Sequence, residues 1–119
     1  RRLQALGGGK VYGFDSFKGL PEPWIGSHMD WSTVADSPAG TYKKEQLPPV
    51  EDNVELVVGY FNETLPGFLE RVQGEVVSFM HLDADLYSST REVFTAVGHL
   101  LRPGSILIID DLVNFPSFR

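Results

Sequence analysis

The sequence has no cysteine among its 119 residues, which excludes disulfides, thiolate nucleophiles and cysteine-ligated zinc together. Any metal must therefore be held by oxygen atoms or by imidazole. Basic residues are also few, because 10 Lys and Arg stand against 16 Asp and Glu and give a net charge of −6. Nucleic acids and anionic membranes are bound chiefly through lysine and arginine, so neither is an expected partner.

Long hydrophobic runs are missing as well, and none approaches the ~20 residues of a membrane span. The first residues lack the apolar core of a signal peptide, and we therefore expect a cytoplasmic protein. The composition, with 42% hydrophobic and 12% aromatic residues, is that of a folded globular domain. Because the chain opens at Arg1 without a methionine and soon enters a strand-like segment, we interpret it as a piece of a longer protein.

Four apolar segments predict β-strands, at Lys10–Phe14, Val54–Val58, Val76–Met80 and Ile106–Ile109. The last three are continuous rather than alternating runs, which is typical of strands covered on both faces. Helical patterns lie between the strands, at Thr64–Val72 and at Ser89–Leu101, the latter opening on a capping box from Ser89 to Glu92. This alternation predicts an α/β fold with a parallel sheet and right-handed crossovers.

Residues 21–52 show no sustained period and contain both tryptophans. An irregular stretch of this length is more often a functional loop than an ordinary connection, so we predict a lid or acceptor loop here. The loop carries three large ring side chains, which either close over a bound molecule or anchor the loop to the body of the domain: Trp24, His28 and Trp31.

Acidic residues follow the predicted strands, and the ligand crevice of an open parallel sheet lies outside the carboxyl ends of its strands. Five of the 16 acids have this position: Asp15, Asp83, Asp85, Asp110 and Asp111. Carboxylates ~4 Å apart repel by about 1 kcal/mol in water and about 4 kcal/mol at an effective dielectric constant of 20, so a close cluster favours a bound cation. Oxygen ligands at an open edge favour Mg²⁺ or Mn²⁺ over zinc.

For the acids and for His81, a functional and a purely structural interpretation both remain open. The acids either hold a cation or only stabilise the amino ends of the following helices and stay solvated. His81 is either a base or metal ligand, or a packed, hydrogen-bonded histidine at the end of its strand.

Four segments resemble the macrocin O-methyltransferase (TylF-like) family, namely Gly13–Trp24, Val58–Pro66, His81–Thr90 and Ile109–Leu112. The resemblance implies a Rossmann-like parallel sheet flanked by helices. It also implies an S-adenosylmethionine-dependent, Mg²⁺-assisted O-methyltransferase whose small-molecule acceptor is a sugar hydroxyl of a natural product.

The resemblance further implies roles for individual residues. Three acids match the family's metal ligands: Asp83, Asp110 and Asp111. Asp85 matches the general base. Four residues fall where the cofactor binds, with Asp15 and Ser16 at the ribose and Tyr60 and Phe61 near the adenine ring.

The chain departs from the family at its amino end, where the first strand and its glycine-rich turn are missing. Gly7-Gly8-Gly9 is no substitute, because it precedes a strand instead of joining a strand to a helix. We therefore interpret residues 1–119 as a partial class I methyltransferase domain that also lacks the carboxyl-terminal strands. The absent strand is central, so we expect the remaining strands to form two pairs with exposed edges. Such a piece alone is expected to be inactive or to pair with another chain, a homo-oligomer included.

Two alternative functions stay open at this point. One is a domain that keeps an acidic metal site or a binding surface without catalysis. The other is Mg²⁺-dependent phosphoryl transfer, which would require a lysine or a phosphate-binding glycine loop near the acids.

Overall fold

A computed structural model describes residues 9–24 and 37–110 of the chain. Four strands and two helices alternate along it: β1 Val11–Asp15, β2 Val54–Val58, α1 Phe61–Arg71, β3 Val77–Leu82, α2 Tyr87–Val97 and β4 Leu101–Ile109. A short 3-10 turn, Gly98–Leu100, joins α2 to β4. No helix in this described part is long and apolar enough to cross a membrane.

The strands form two parallel pairs, β1 with β2 and β3 with β4, as the sequence predicts. In the first pair Val11 lies opposite Val54 and Asp15 opposite Val58. In the second pair Leu82 lies opposite Ile109. Because each pair is parallel, its carboxyl ends lie side by side, and the loops that follow the strands meet at one edge of the molecule.

The hydrophobic core lies between the strands and the two helices. Seven buried residues form it: Leu65, Phe68, Val72, Leu82, Val93, Val97 and Leu100. The Phe68 ring packs edge-on against Tyr12 and Phe14, with ring centroids 4.8 Å apart in both pairs. Since Phe68 belongs to α1 and both partners to β1, these contacts fix the strand that ends at Asp15.

The opposite face of the second pair is uncovered in the described residues, which is expected of a piece that lacks part of its sheet, although the continuous apolar runs by themselves indicated strands covered on both faces. Phe79 is 56% exposed, and its cross-strand neighbour Ile106 is 59% exposed. Ile108, two residues further along β4, is 47% exposed. The reason is that α1 and α2 pack against each other and cover one face only. These three side chains, which we call the apolar strip, lie on the other face.

The helix boundaries differ from the predicted ones. Helix α2 begins at Tyr87 with Leu86 as its N-cap, so Ser89 is buried inside the first turn and the predicted capping box is wrong. Helix α1 begins at Phe61, three residues earlier than predicted. The Glu63 carboxylate accepts a hydrogen bond of 3.3 Å from the Tyr60 backbone N–H, which satisfies a donor at this earlier start.

The long irregular segment after β1 is held by backbone hydrogen bonds in its described parts. Trp24 and Ser37 form an antiparallel bridge with N···O distances of 2.8 and 2.9 Å. Leu20 donates to the Thr41 carbonyl at 2.9 Å and accepts from the Gly40 N–H at 2.8 Å. His28 and Trp31 lie outside the described residues, and the role of residues 21–52 as a lid stays a prediction.

Three charged side chains join the amino end of the first strand pair to the end of α1. Glu55 accepts from Lys10 at 2.5 Å and from Arg71 at 2.7 Å. The hydrogen bond from Lys10, followed by that from Arg71, lowers the pKa of Glu55, and the same contact with Glu55 raises the pKa of Lys10. The Lys10 and Arg71 side chains are about half exposed and that of Glu55 is 31% exposed, so these ion pairs act on the orientation of the elements more than on stability.

Candidate functional site

A cleft of about 400 Å³ opens at the carboxyl ends of β1, β2 and β3. Six of the residues singled out from the sequence line it: Asp15, Ser16, Tyr60, Phe61, Asp83 and Asp85. They come from three different loops, and the parallel arrangement of the strands brings these loops together. Of the two remaining candidates, Asp110 lies beside Asp83, and Asp111 is outside the described residues.

The turn after β1 is shaped by the side chains of its own first residues. Asp15 Oδ1 accepts the Phe17 N–H at 2.6 Å, and Ser16 Oγ accepts the Lys18 N–H at 3.1 Å. These bonds hold Phe17 in a left-handed conformation with φ of 56°. The second oxygen of the Asp15 carboxylate can accept hydrogen bonds from a molecule in the cleft, which Asp15 lines. Ser16 also donates to the Gly19 carbonyl at 3.4 Å, so its hydroxyl shapes the turn.

The turn after β2 brings two aromatic side chains, Tyr60 and Phe61, into the lining of the same cleft. Gly59 has φ of 145°, and a Cβ there would lie 2.7 Å from the Thr64 side chain, so this tight entry into α1 requires glycine. The Gly59 N–H donates to the Asp15 carbonyl at 3.0 Å and ties the two turns together. The Lys18 ammonium lies 5.3 Å from the centre of the Tyr60 ring, which leaves a flat aromatic surface beside a positive charge.

His81, Asp83 and Asp110 lie together at the carboxyl edge of the second strand pair, and one ligand atom from each is within 4.8 Å of the others. Strand register explains this proximity. His81 lies opposite Ile108 and Leu82 opposite Ile109, and the Asp110 N–H continues the ladder with a 2.9 Å bond to the Leu82 carbonyl. Asp83 and Asp110 are therefore cross-strand neighbours on the face that also carries His81.

This donor set fits a divalent cation. Two carboxylates and one imidazole are common ligands of such ions, and opposite ligands of an ion with bonds of about 2.1 Å are about 4.2 Å apart. The ligand atoms lie within 4.8 Å of one another and can therefore share an ion once the exposed side chains adjust. All three side chains are exposed in the described part of the chain, so an ion could enter from solvent.

Asp85 lies on the turn between β3 and α2 and lines the cleft with Asp83. Its φ of 56° is uncommon for a residue other than glycine, and such conformations persist where the surrounding structure imposes them. The adjacent Leu86 N–H donates to the Ala84 carbonyl at 2.5 Å, which closes this turn. The turn thus presents a carboxylate two residues beyond Asp83.

One contact in the cleft was not predicted from the sequence. The Ser88 hydroxyl donates to Glu22 Oε1 at 2.5 Å and joins the irregular segment after β1 to the first turn of α2. Glu22 stands in a stretch that resembled the family, but no local signal pairs two residues 66 positions apart. Both residues line the cleft, together with Asp85.

A parallel α/β arrangement with a cleft at its carboxyl edge is typical of a Rossmann-like domain. The profile of the macrocin-O-methyltransferase (TylF) family matches residues 2–119. The chain therefore belongs to this family, and the resemblance found in the sequence is confirmed.

A relative from Streptomyces olivaceus supports the assignment. It is the 8-demethyl-8-(2,3-dimethoxy-alpha-L-rhamnosyl)-tetracenomycin-C 4'-O-methyltransferase, and it is 30% identical over 112 residues. The match covers 86% of this chain and 41% of the relative.

Two solved structures share the fold and confirm the Rossmann-like prediction. The calicheamicin methyltransferase CalS11 matches with a TM-score of 0.68 and 24% identity, over 92% of this chain and 49% of that protein. The O-methyltransferase NovP matches with a TM-score of 0.58 and 25% identity, over 92% of this chain and 48% of that protein. The chain thus spans less than half the length of these relatives.

Proposed function

We propose that the protein containing this chain is an S-adenosylmethionine-dependent, cation-assisted O-methyltransferase that acts on a sugar hydroxyl of a natural product. Membership of the macrocin-O-methyltransferase family supports methyl transfer. The related tetracenomycin enzyme, whose name specifies a rhamnosyl 4'-O-methyl transfer, supports a sugar acceptor. In this proposal residues 1–119 belong to a class I methyltransferase domain, and residues 21–52 form its lid or acceptor loop.

The cofactor would lie in the cleft between the turns after β1 and β2. Asp15 would accept hydrogen bonds from the two ribose hydroxyls, because a carboxylate can receive two neighbouring O–H donors. Tyr60 and Phe61 would contact the flat adenine ring, and Ser16 would hold the turn that presents Asp15. These assignments use side chains that line one cleft within the described residues.

The reacting hydroxyl would lie between the cofactor and the acids after β3 and β4. Asp83 and Asp110, with Asp111, would hold a divalent cation, which lowers the pKa of neighbouring sugar hydroxyls and fixes their orientation. Asp85 would accept the hydroxyl proton as the oxygen takes the methyl group from the sulfonium sulfur. The products are a methyl ether, S-adenosylhomocysteine and a proton.

The observation that carries the proposal is the single cleft shared by Asp15, Tyr60, Asp83 and Asp85. Its test is calorimetric binding of S-adenosylhomocysteine to the protein and to Asp15→Asn. A charge-assisted hydrogen bond is worth about 1.5–3 kcal/mol, so this variant should bind about tenfold to a hundredfold more weakly.

Asp52→Asn is the matched control for this experiment. Asp52 is an exposed acid that precedes β2, at the opposite end of the strand from the cleft, and its loss should leave binding unchanged. Equal affinity of Asp15→Asn and the unmodified protein would contradict the assigned ribose contact. Absence of any S-adenosylhomocysteine binding would contradict the proposed function itself.

A further inference from the structure

We propose that His81 is a nitrogen ligand of the cation at this site, so that the site prefers a first-row transition-metal dication such as Mn²⁺ over Mg²⁺. The inference deepens the proposed function, because it concerns the same cation site. It names a ligand in addition to the three aspartates and a chemical class of metal.

His81 lies on β3 and is held in the ladder opposite Ile108 of β4. Asp83 follows the last residue of β3, and the alternation of side chains along the chain directs it to the side that carries His81. Asp110 follows the last residue of β4, and its N–H bonds to the Leu82 carbonyl at 2.9 Å. One nitrogen and two oxygens consequently meet at the carboxyl ends of two adjacent, hydrogen-bonded strands.

His81 is not part of the packed core. The helix-facing neighbours Met80 and Leu82 contact the core, whereas His81 is exposed on the uncovered face. The interpretation of His81 as a packed core histidine therefore does not hold in the described structure. Its ring is instead within 4.8 Å of two carboxylate ligand atoms.

Divalent metal ions differ in their preference for nitrogen and oxygen ligands. Mg²⁺ binds oxygen ligands almost exclusively in proteins and keeps several waters, whereas imidazole suits transition-metal ions. A set with two carboxylates and one imidazole accepts Mn²⁺ and the dications that follow it in the affinity series. The nitrogen thus adds affinity for these ions and little for Mg²⁺.

The experiment loads the full chain with Mn²⁺ near pH 7.5 and records pulsed electron paramagnetic resonance, which detects ¹⁴N bound to the ion. A ¹⁴N coupling is expected in the unmodified protein and is expected to disappear in His81→Gln. The same variant should bind Mn²⁺ at least tenfold more weakly, since even outer partners of metal ligands change affinity about tenfold to a hundredfold. Its affinity for Mg²⁺ should change less than about threefold.

Two further variants make the result specific. His99→Gln removes an exposed histidine of the turn after α2, which is not part of the cluster, and should retain the coupling. His81→Asp supplies an oxygen in place of the nitrogen, so it should lose the coupling yet bind Mg²⁺ at least as well as the unmodified protein. This second substitution separates loss of a nitrogen ligand from loss of the fold.

The outcomes separate the inference from the proposed function. Methyl transfer with bound Mn²⁺ but no ¹⁴N coupling overturns the role of His81 and leaves the function intact. A ¹⁴N coupling that persists in His81→Gln also overturns it, as does a chain that binds no Mn²⁺. A coupling that depends on His81 in a protein unable to bind S-adenosylhomocysteine supports the metal site and contradicts methyl transfer.

Discussion

Gly19 joins the turn that presents Asp15 to the irregular segment beyond it, and Gly19→Ala tests this junction. Gly19 has φ of 82°, and a Cβ at this position would overlap the carbonyl oxygens of Gly40 and Thr41. Both obstacles are backbone atoms, which cannot rotate away as a flexible side chain can. The substitution must therefore separate the two segments.

The magnitude follows from two contributions. A left-handed conformation costs a residue with a Cβ about 1–2 kcal/mol. Separation of the segments also breaks the two hydrogen bonds between Leu20 and residues 40–41, each worth about 0.5–1.5 kcal/mol. We expect Gly19→Ala to lower the free energy of unfolding by about 2–5 kcal/mol.

Two other glycines serve as controls. Gly40 has φ of 84°, and a Cβ added there would meet no atom within 4 Å, so Gly40→Ala carries the conformational cost alone, about 1–2 kcal/mol. Gly67 lies inside α1 with open space around it, and Gly67→Ala should stabilise the protein by about 0.5–1 kcal/mol.

Urea unfolding followed by circular dichroism measures all three free energies, and calorimetry measures S-adenosylhomocysteine binding. Gly19→Ala should also weaken that binding, because Gly19 lines the cleft and its turn holds Asp15. If Gly19→Ala costs no more than Gly40→Ala, the close contact does not hold these segments together and the reasoning is refuted.

Two further predictions concern polar contacts. Glu55→Gln should flatten the decline of stability on acidification. The pKa of Glu55 is lowered in the folded protein, so its stabilising contribution is present above its ordinary pKa and is lost as the pH falls through the pKa of the folded state. Urea unfolding across that pH range measures the effect, and the same dependence of stability on pH in both proteins would contradict the ion pairs. Ser88→Ala should raise the acceptor KM about twofold to fivefold with little change in kcat, because it removes the bond to Glu22 in the proposed acceptor loop, and both residues line the cleft. Steady-state kinetics would detect the change in KM, with Ser78→Ala, which alters an exposed serine on β3, as the control. Equal KM values for Ser88→Ala and the unmodified protein would contradict this prediction.

The sequence was sufficient to predict four strands and the meeting of Asp83 with Asp110, but not the start of β4, which begins at Leu101, where a helix end was predicted. Both acids directly follow apolar runs, and in a parallel pair the residues that follow adjacent strands must lie at the same edge. The same reasoning placed Asp15 and Tyr60 on facing turns, where the structure also has them. These features depend on local hydrophobic pattern and on the geometry of parallel strands, which are both readable from one sequence.

Other features depend on contacts between distant residues and could not be predicted. The pattern from Ser89 to Glu92 satisfies the capping rule, yet α2 begins at Tyr87 because the turn at Asp85 already directs the chain into the helix. The continuous apolar runs of β3 and β4 predicted two covered faces, but such a run cannot specify which element covers each face. The bond between Glu22 and Ser88 joins two polar residues that carry no periodic signal.

The exposed apolar strip has a direct consequence for the cation site. Phe79, Ile106 and Ile108 lie on the face of the sheet that carries His81, Asp83 and Asp110 at its edge. In water the two carboxylates repel by only about 1 kcal/mol at ~4 Å, whereas at an effective dielectric constant of 20 the repulsion is about 4 kcal/mol. Any element or ligand that covers the strip lowers the local dielectric constant and strengthens the preference for a bound cation. Cation affinity should therefore rise when the apolar strip is covered, and by thermodynamic linkage the cation should increase the affinity of the strip for whatever covers it by the same factor.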